Sequence, residues 1–218
     1  MMNKLLIAFM ILWLPVLAQA AEGGPELTPA PINLDDKVSL QRGAQIFVNH
    51  CTGCHSAKYM RYERVAQDLD IPADIMKKNL MFTTDKIGDP INTAMPTDLA
   101  KKWFGVAPPD LTVEARLRGS DWVYSYLTSF YEDDTRPWHV NNHVFPGVAM
   151  PWVLSNMQKD MSDKEFKEAM ADLTNFMVYM SEPVRAKREH IGVFVLLFLA
   201  IFFIPVYFLN REYWKDIH

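Results

Sequence analysis

The sequence is poor in cysteine and nearly balanced in charge. Its only cysteines are Cys51 and Cys54, and a disulfide between them would close so small a loop that it would add little stability. A formal net charge of −4 argues against a nucleic-acid-binding protein, because such proteins need excess basic charge at their surface. Convincing β-strand alternation and internal repeats are also missing. These absences favour an all-α domain with irregular connections.

Apolar residues are concentrated in two runs, one near each end of the chain. At the start, Lys4 precedes an apolar run from Leu5 to Ala18, and Ala18-Gln19-Ala20 supplies small residues at a cleavage position. This layout is typical of a secretory signal peptide, which we expect to span residues 1–20. The alternative is an N-terminal membrane anchor that is not cleaved, although the run is short for that purpose.

The second apolar run extends from Ile191 to Leu209 and contains no charged residue. A helix of this length would be roughly 28 Å long, close to the hydrocarbon thickness of a bilayer. Tyr213 and Trp214 follow it, at the depth where aromatic side chains collect in membranes. The run therefore predicts one transmembrane helix over residues 191–209 and a short tail over residues 210–218.

The orientation of this helix has two conflicting indicators. Basic residues on the two sides of the helix are Arg185, Lys187 and Arg188 before it, and Arg211 and Lys215 after it. This small difference favours a cytoplasmic location for the main domain. A cleaved signal peptide would instead export that domain before the anchor is made. We give the signal peptide more weight, so residues 21–184 are predicted to lie in the bacterial periplasm, with the tail in the cytoplasm.

Helical spacing is clearest in two segments of the predicted periplasmic domain. From Ser39 onward, one helical face carries Leu40, Gly43, Ala44 and Phe47. Glycine weakens a helix, so Gly43 indicates that another backbone or helix approaches closely. The second segment runs from Ser162 to Met180, where Ser162 and Glu165 form an S-x-x-E capping box. The apolar residues at helical spacing behind that box are Phe166, Met170, Leu173, Phe176, Met177 and Met180.

The remaining regions are less regular. Residues 22–36 are rich in proline and acid, and should form an extended lead-in. Prolines interrupt the periodicity between about residues 59 and 109, so short helices in long loops are expected there. Residues 112–131 are predicted to form one helix, and residues 132–152 a loop. The candidate core residues of that helix are Val113, Leu117, Val123 and Leu127.

The motif CTGCH, from Cys51 to His55, has four interpretations, of which the disulfide is already disfavoured. A zinc site would need two further ligands, and a redox dithiol would need a βαβ surround that this chain lacks. Covalent haem attachment uses every feature of the motif: two thiols form thioether bonds to one haem, and the following imidazole binds its iron. The motif therefore predicts one haem c anchored at Cys51 and Cys54, with His55 as an iron ligand.

The second iron ligand is predicted to be a methionine. Met95 and Met150 each occur in an Ala-Met-Pro phrase. Polar residues follow Met95, whereas Met150 lies in a segment stiffened by proline and glycine and surrounded by apolar residues. Because a thioether competes poorly with water for iron, these settings favour Met150 over Met95. His139 and His143 stay as further alternatives.

Two arginines are candidates for binding the haem propionates. Arg116 and Arg118 follow the proline pair Pro108-Pro109, and a guanidinium pairs with a carboxylate through two hydrogen bonds. The residues alone leave open the alternative that both arginines are simply solvated.

With these motifs in view, nearly the whole exported sequence resembles the cytochrome c1 family, the haem subunits of the cytochrome bc1 complex (ubiquinol–cytochrome c oxidoreductase). The segments that carry the resemblance are RGAQIFVNHCTGCHS, KYMRYERV, APPDLTVEARLRGSDWVYSYLTSFY, NHVFPGVAMPWVL and DLTNFMVYMSEP. The resemblance implies a cytochrome c-like haem domain with long irregular loops and a single membrane anchor. It implies Met150 as the second iron ligand, and Pro109 and Arg116 as haem contacts. The arginine segment is shorter than in mitochondrial relatives, so the choice of Arg116 over Arg118 depends on where the gap is placed.

The function implied by the resemblance is single-electron transfer by a subunit that is not an enzyme on its own. The haem would accept electrons from the Rieske iron–sulfur protein and pass them to a cytochrome c acceptor, within a dimeric complex that contains cytochrome b. An iron with both axial positions filled has no open site for substrate, which fits this role. The acidic run Glu132-Asp133-Asp134 is a candidate docking face for a basic partner.

Three alternative functions are open at this point. One is an independent membrane-anchored c-type cytochrome outside any complex. Another is a haem enzyme such as a peroxidase, which would need a vacant axial position on the iron. The third is a haem-free dithiol protein.

Overall fold

The structure is a computed structural model that describes residues 24–217. The signal peptide predicted over residues 1–20 lies outside the described residues. Within them the chain is mostly helical, with long irregular connections and two very short sheets, so the all-α prediction is confirmed. The helices are α1 Lys37–His50, α2 Tyr62–Asp68, α3 Ala73–Asn79, α4 Thr97–Phe104, α5 Glu114–Arg118, α6 Ser120–Thr128, α7 Ser155–Asp160, α8 Asp163–Ser181 and α9 Arg185–Tyr213, followed by a 3-10 turn at Lys215–Ile217.

Helices α1 and α8 pack against each other and form the centre of the core. Gly43 permits this contact, because a Cβ atom at that position would collide with the carbonyl oxygen of Asp172 and the Cβ atom of Phe176. The rings of Phe47 and Phe176 meet beside it, with 5.6 Å between centroids. At the surface, Arg42 on α1 joins the two helices, because its Nε atom donates a hydrogen bond to Oδ2 of Asp172 on α8 over 2.5 Å. The close approach predicted from Gly43 is therefore observed.

Helix α8 begins as its sequence predicts. The Ser162 hydroxyl accepts a hydrogen bond from the Glu165 backbone, and the Glu165 carboxylate accepts one from the Ser162 backbone, so both halves of the capping box are formed. All six apolar residues predicted to face the core are buried. Because α8 is anchored at its start and is buried on all sides from Asp172 to Met180, it is a rigid support for the helices packed on it.

The single helix predicted over residues 112–131 is wrong. Gly119 has φ of +93° and separates α5 from α6, because this backbone conformation cannot continue a right-handed helix. Val123 and Leu127 on α6 are buried as expected, but Val113 and Leu117 are 47% and 75% exposed. The break turns α5 relative to α6, so a single helical periodicity from Val113 to Leu127 does not place these residues on one face.

Two antiparallel sheets of two strands each were not predicted. The first pairs β1, Ala57–Arg61, with β2, Pro90–Ile91. The second pairs β3, Phe130–Glu132, with β4, Val140–Asn142. The second hairpin begins in the last two residues of the predicted helix, Phe130 and Tyr131, and otherwise lies in the segment predicted to be loop. It returns the chain to the core before Met150.

The lead-in is extended, as predicted, and runs across α6 and α8. The backbone amide of Thr28 donates to the Ser125 hydroxyl over 2.7 Å, and that of Ala30 donates to Asp121 over 2.9 Å. Asn175 donates to the Asn33 carbonyl over 2.7 Å. These side chains fix a segment that has no secondary structure of its own.

Helix α9 has 29 residues and includes the predicted span from Ile191 to Leu209. It is the one helix in the described part of the chain that is long and apolar enough to cross a membrane, and none of its residues is buried. Its large apolar side chains are therefore exposed, as expected for a helix that faces lipid.

Candidate functional site

The CTGCH motif lies at the end of α1. Cys51 is the C-cap of that helix, and its carbonyl accepts hydrogen bonds from the amides of Cys54 and His55 over 3.0 and 2.8 Å. This turn holds the motif in a compact arrangement. Both cysteines are free; Cys51 is buried and Cys54 is half-buried.

The imidazole of His55 is buried and held in one orientation. Its Nδ1 atom lies 2.8 Å from the carbonyl oxygen of Pro109. Because that oxygen can only accept, Nδ1 carries the proton and Nε2 keeps a free lone pair. Burial lowers the pKa of His55, although the hydrogen bond to Pro109 opposes this shift. A neutral imidazole with its partner nitrogen fixed is the form that binds a metal.

The proline pair is positioned by the segment that follows the motif. The amide of Leu111 donates to the carbonyl of Ser56 over 2.8 Å, and the amide of Lys58 donates to the Asp110 carboxylate over 2.9 Å. These bonds tie the residues after His55 to those after Pro109. The predicted contact residue Pro109 therefore reaches the motif through its backbone carbonyl.

Two clefts meet at His55 and Met150, with empty volumes of about 490 and 890 Å³. Residues that line both clefts are His55, Val106, Pro109, Ala149 and Met150. Cys54 lines the smaller cleft and Cys51 the larger one. The walls of both clefts are mainly apolar, so contact between these walls and water is unfavourable.

Met150 lies on a loop that is fixed by hydrogen bonds. Arg136 donates from Nη2 to the carbonyls of Gly147 and Val148 over 2.7 and 3.2 Å. The amide of Gly147, where φ is +80°, donates to the Asn141 side chain over 2.8 Å. Met95 lines neither cleft. The structure therefore brings Met150, and not Met95, to the same space as His55.

The Tyr126 hydroxyl donates a hydrogen bond to the Met150 sulfur over 3.4 Å. Tyr126 is half-buried on α6, and burial raises the pKa of its phenol well above its usual value, so the hydroxyl stays protonated. Our sequence reasoning missed this residue. The sequence did show an aromatic residue with a hydroxyl group directly before the core residue Leu127.

The two candidate arginines have different surroundings. Arg118 lines the larger cleft, where its Nε atom donates to the Glu114 carboxylate over 2.9 Å and its guanidinium lies 4.6 Å from the Trp122 ring centroid. Arg116 lines neither cleft and lies 3.5 Å from Glu182, with 65% of its side chain exposed. The geometry places Arg118 beside the site and Arg116 on the outside of α5.

These features fit a haem. Two thiols, a neutral imidazole and a thioether border one apolar space, and Arg118 supplies a cation at its rim. Burial raises the pKa of Cys51 to about 12 and also raises that of Cys54. The thiols are therefore protonated at neutral pH, unlike those of a reactive dithiol. Within residues 24–217, no three or more histidine, cysteine or acidic side chains are grouped as a metal site.

Comparison with models of known protein families shows the family to which this chain belongs. The model of the Cytochrome C1 family matches residues 30–217, nearly all of the described chain. The chain belongs to the cytochrome c1 family.

Three named relatives match most or all of the chain. The protein named cytochrome c1 from Allochromatium vinosum is 46% identical, covering 100% of both chains. The protein named ammonia monooxygenase gamma subunit from Nitrosomonas europaea is 41% identical, covering 100% of this chain and 99% of its own. The protein named cytochrome b/c1 from Bradyrhizobium diazoefficiens is 26% identical over 86% of this chain and 34% of its own.

The other predicted residues of this cytochrome c1 family member lie away from the clefts. His139 is exposed and lies 3.4 Å from Asp134, while His143 is exposed and stacks on Tyr131 with 4.3 Å between centroids. Asp133 in the acidic run accepts hydrogen bonds within its own turn, from Thr135 and Asn141, and these bonds lower its pKa. The docking role of the acidic run stays a prediction.

Proposed function

We propose that this chain is the electron-transfer subunit of a cytochrome bc1 complex. One haem c, bound through Cys51 and Cys54 with His55 and Met150 as iron ligands, would accept electrons from a Rieske iron–sulfur protein. It would pass them singly to a cytochrome c acceptor. When bound, the haem supplies a one-electron couple between ferric and ferrous iron, and this protein's residues hold and tune it.

The observation that carries the proposal is the shared border of the two clefts. Ligands from two distant parts of the sequence, His55 after α1 and Met150 after β4, line both of them. The thiols that would anchor a haem lie beside the same imidazole. An iron bound by both an imidazole and a thioether would have no position open to oxygen or peroxide, which supports electron transfer over peroxidase chemistry.

The family and the relatives support the choice of partners. Membership in the cytochrome c1 family argues for a place in the bc1 complex. The relative named cytochrome b/c1 covers more than this chain, and its name supports cytochrome b as a neighbour of the haem domain. The exposed apolar helix α9 supports a single-pass anchor in the inner membrane. We infer that the haem domain lies on the periplasmic side and that the complex is dimeric.

Haem ligation is tested with the purified full-length protein in detergent. Pyridine haemochrome and reduced-minus-oxidised spectra should show a covalent c-type haem in the unmodified protein. Met150→Leu should make the reduced haem bind carbon monoxide. Met95→Leu is the matched control, because Met95 also lies between alanine and proline but lines neither cleft. The reduced haem of this variant should not bind carbon monoxide.

Two outcomes would overturn the proposed site. If no covalent haem were found, a redox dithiol or a zinc site would become the interpretation of Cys51 and Cys54. Haem whose carbon monoxide binding is unaffected by Met150→Leu would move the second axial ligand to another residue.

The place in a complex needs a separate test. An affinity tag on the chain should recover a cytochrome b and a Rieske protein from mild detergent extracts of membranes. Recovery of the haem protein alone would favour an independent membrane-anchored cytochrome. Recovery of ammonia monooxygenase subunits would favour the assembly named for the Nitrosomonas relative.

The orientation is tested with reporter fusions after His218. Alkaline phosphatase fused there should be inactive, and β-galactosidase active, if the tail is cytoplasmic. The opposite pattern would place the haem domain in the cytoplasm, where bacteria do not attach haem c.

A further inference from the structure

The hydrogen bond between Tyr126 and Met150 belongs to a fixed arrangement. Trp122, one helical turn earlier on α6, stacks on the Tyr126 ring with 5.0 Å between centroids and 8° between planes. Phe130 packs edge-on against the same ring, with 5.1 Å between centroids. Two aromatic neighbours restrict the movement of the Tyr126 ring, so the position of its hydroxyl oxygen is set by packing.

The other end of the contact is tied to the same helix. Asn142 is completely buried, and its Nδ2 atom donates to the Tyr126 carbonyl over 2.8 Å. Its Oδ1 atom accepts hydrogen bonds from the amides of Val144 and Phe145 over 2.9 and 3.0 Å. One buried amide thus joins the backbone of Tyr126 to the start of the loop that carries Met150. A network whose members are all satisfied is rigid.

The chemistry of the thioether explains why this contact matters. The sulfur of methionine has two lone pairs, so it can accept a hydrogen bond through one and bind a metal through the other. A hydrogen bond withdraws electron density from the sulfur and weakens it as a donor. Ferric iron depends more on electron donation from its ligands than ferrous iron does. The hydroxyl therefore destabilises the oxidised form relative to the reduced one.

We propose that Tyr126 is a positioning residue that orients the Met150 sulfur and raises the reduction potential of the haem. This inference rests on the proposed function, because it requires Met150 to be the iron ligand. It also goes beyond that function, since the CTGCH motif and the iron ligands assign no role to Tyr126, which lies within a family segment without a stated function. The ordinary strength of a hydrogen bond limits the effect to less than about tenfold in the redox equilibrium, or roughly 59 mV for one electron.

The test is a redox titration of the full-length haem protein with Tyr126→Phe. Phenylalanine keeps the ring between Trp122 and Phe130 but loses the hydroxyl. The midpoint potential should fall, while the reduced haem stays closed to carbon monoxide because Met150 is still bound. Tyr124→Phe is the matched control: Tyr124 is buried on the same helix, but its hydroxyl does not contact the sulfur. That variant should keep the original potential.

A second variant gives the opposite sign and preserves the packing. Substituting 3-fluorotyrosine for Tyr126 makes the phenol a stronger donor, so the potential should rise. A purely structural role for the ring predicts no such pair of opposite shifts. The inference is overturned if both Tyr126 variants leave the potential unchanged, or if Tyr126→Phe and Tyr124→Phe lower it equally.

Failure of the inference and failure of the proposed function are distinguishable. If Met150→Leu opens the reduced haem but the Tyr126 variants leave the potential unchanged, only the role of Tyr126 is wrong. If Met150→Leu has no effect on carbon monoxide binding, the ligand assignment fails, and the role of Tyr126 fails with it.

Discussion

At the scale of single residues, the two arginines of α5 have different surroundings because they lie on different faces of the helix. Residues two positions apart on a helix do not share a face, and accordingly Arg118 lines the larger cleft while Arg116 lies against Glu182. Arg118 is also paired with Glu114, which lines the same cleft. The cation therefore balances a carboxylate at the rim of the site, and can balance a haem propionate there as well.

Arg118→Gln should lower the midpoint potential of the haem. Removing a nearby positive charge, and leaving the Glu114 carboxylate unbalanced, stabilises the more positive ferric form. Spectroelectrochemical titration of the purified protein measures the shift. Arg116→Gln is the control, and should change the potential much less because its side chain is 65% exposed and outside both clefts. A larger shift in the Arg116 variant would assign the propionate contact to Arg116.

Single residues also show which predicted positions the structure brings together and which it separates. The structure places the predicted residues Cys51, Cys54, His55 and Met150 around one space, because a covalent motif and a stiffened Ala-Met-Pro loop are local signals. The side of α5 that faces the site is not a local property. It depends on how the whole helix docks, so the spacing of its arginines could not choose between them.

At the scale of elements, α1 and α8 approach each other so closely at Gly43 that no side chain fits between them. Gly43→Ala should lower the free energy of unfolding by about 2 kcal/mol, since overpacking of a core costs roughly 1–3 kcal/mol. The change would otherwise favour a helix by about 1 kcal/mol, so destabilisation indicates the collision with Asp172 and Phe176. Denaturant unfolding followed by circular dichroism gives the value.

Gly88→Ala provides the matched comparison for the Gly43 variant. A Cβ atom at Gly88 meets nothing within 4 Å, so its stability should be nearly unchanged. Equal stability losses in the two variants would show that the α1–α8 approach is not what makes Gly43 necessary.

The capping box of α8 predicts a specific pH dependence of stability. Hydrogen bonds from the Ser162 hydroxyl and backbone lower the pKa of Glu165 below its ordinary value of 4.5. A carboxylate with a lowered pKa in the folded state contributes stability above pH 4.5, and this contribution is lost as the pH falls through the folded pKa. Ser162→Ala should lower the stability at neutral pH by about 1 kcal/mol.

Glu165→Gln should flatten the acid limb of the stability profile. The measurement is the free energy of unfolding at several pH values from neutral to acid. Glu132→Gln serves as the control, because its side chain accepts no hydrogen bond from the described residues. An acid limb unchanged in Glu165→Gln would mean that the capping box contributes nothing to acid sensitivity.

Long elements with clear local signals could be predicted from the sequence, and short elements without such signals could not. Helix α8 has a capping box and many apolar residues at regular spacing, and its bounds were predicted to within one residue at each end. Strands of two to five residues are too short for alternation to be visible. The break at Gly119 depends on a backbone conformation that the helical spacing around it concealed.

At the scale of the whole molecule, α9 contributes no residue to the hydrophobic core of the described chain. None of the residues of α9 is buried. A chain that stops after His190 should therefore fold with an unchanged haem spectrum and partition into the aqueous phase of a detergent phase separation. The full-length chain should partition into the detergent phase. A truncated chain that loses its haem or aggregates would show that α9 contributes to the fold of the domain.

The separation of His55 and Met150 along the chain has a mechanical consequence. If both bind one iron, the metal closes a ring that contains β1, α2 to α6 and the β3–β4 hairpin. A covalent cross-link over about a hundred residues would stabilise a protein by roughly 4.7 kcal/mol through the entropy of its unfolded chain. Such an iron–sulfur bond would be a cross-link that opens reversibly, and its strength would differ between ferric and ferrous iron. Each electron that passes would then briefly change how tightly the segment after α1 and the loop after β4 are fastened together.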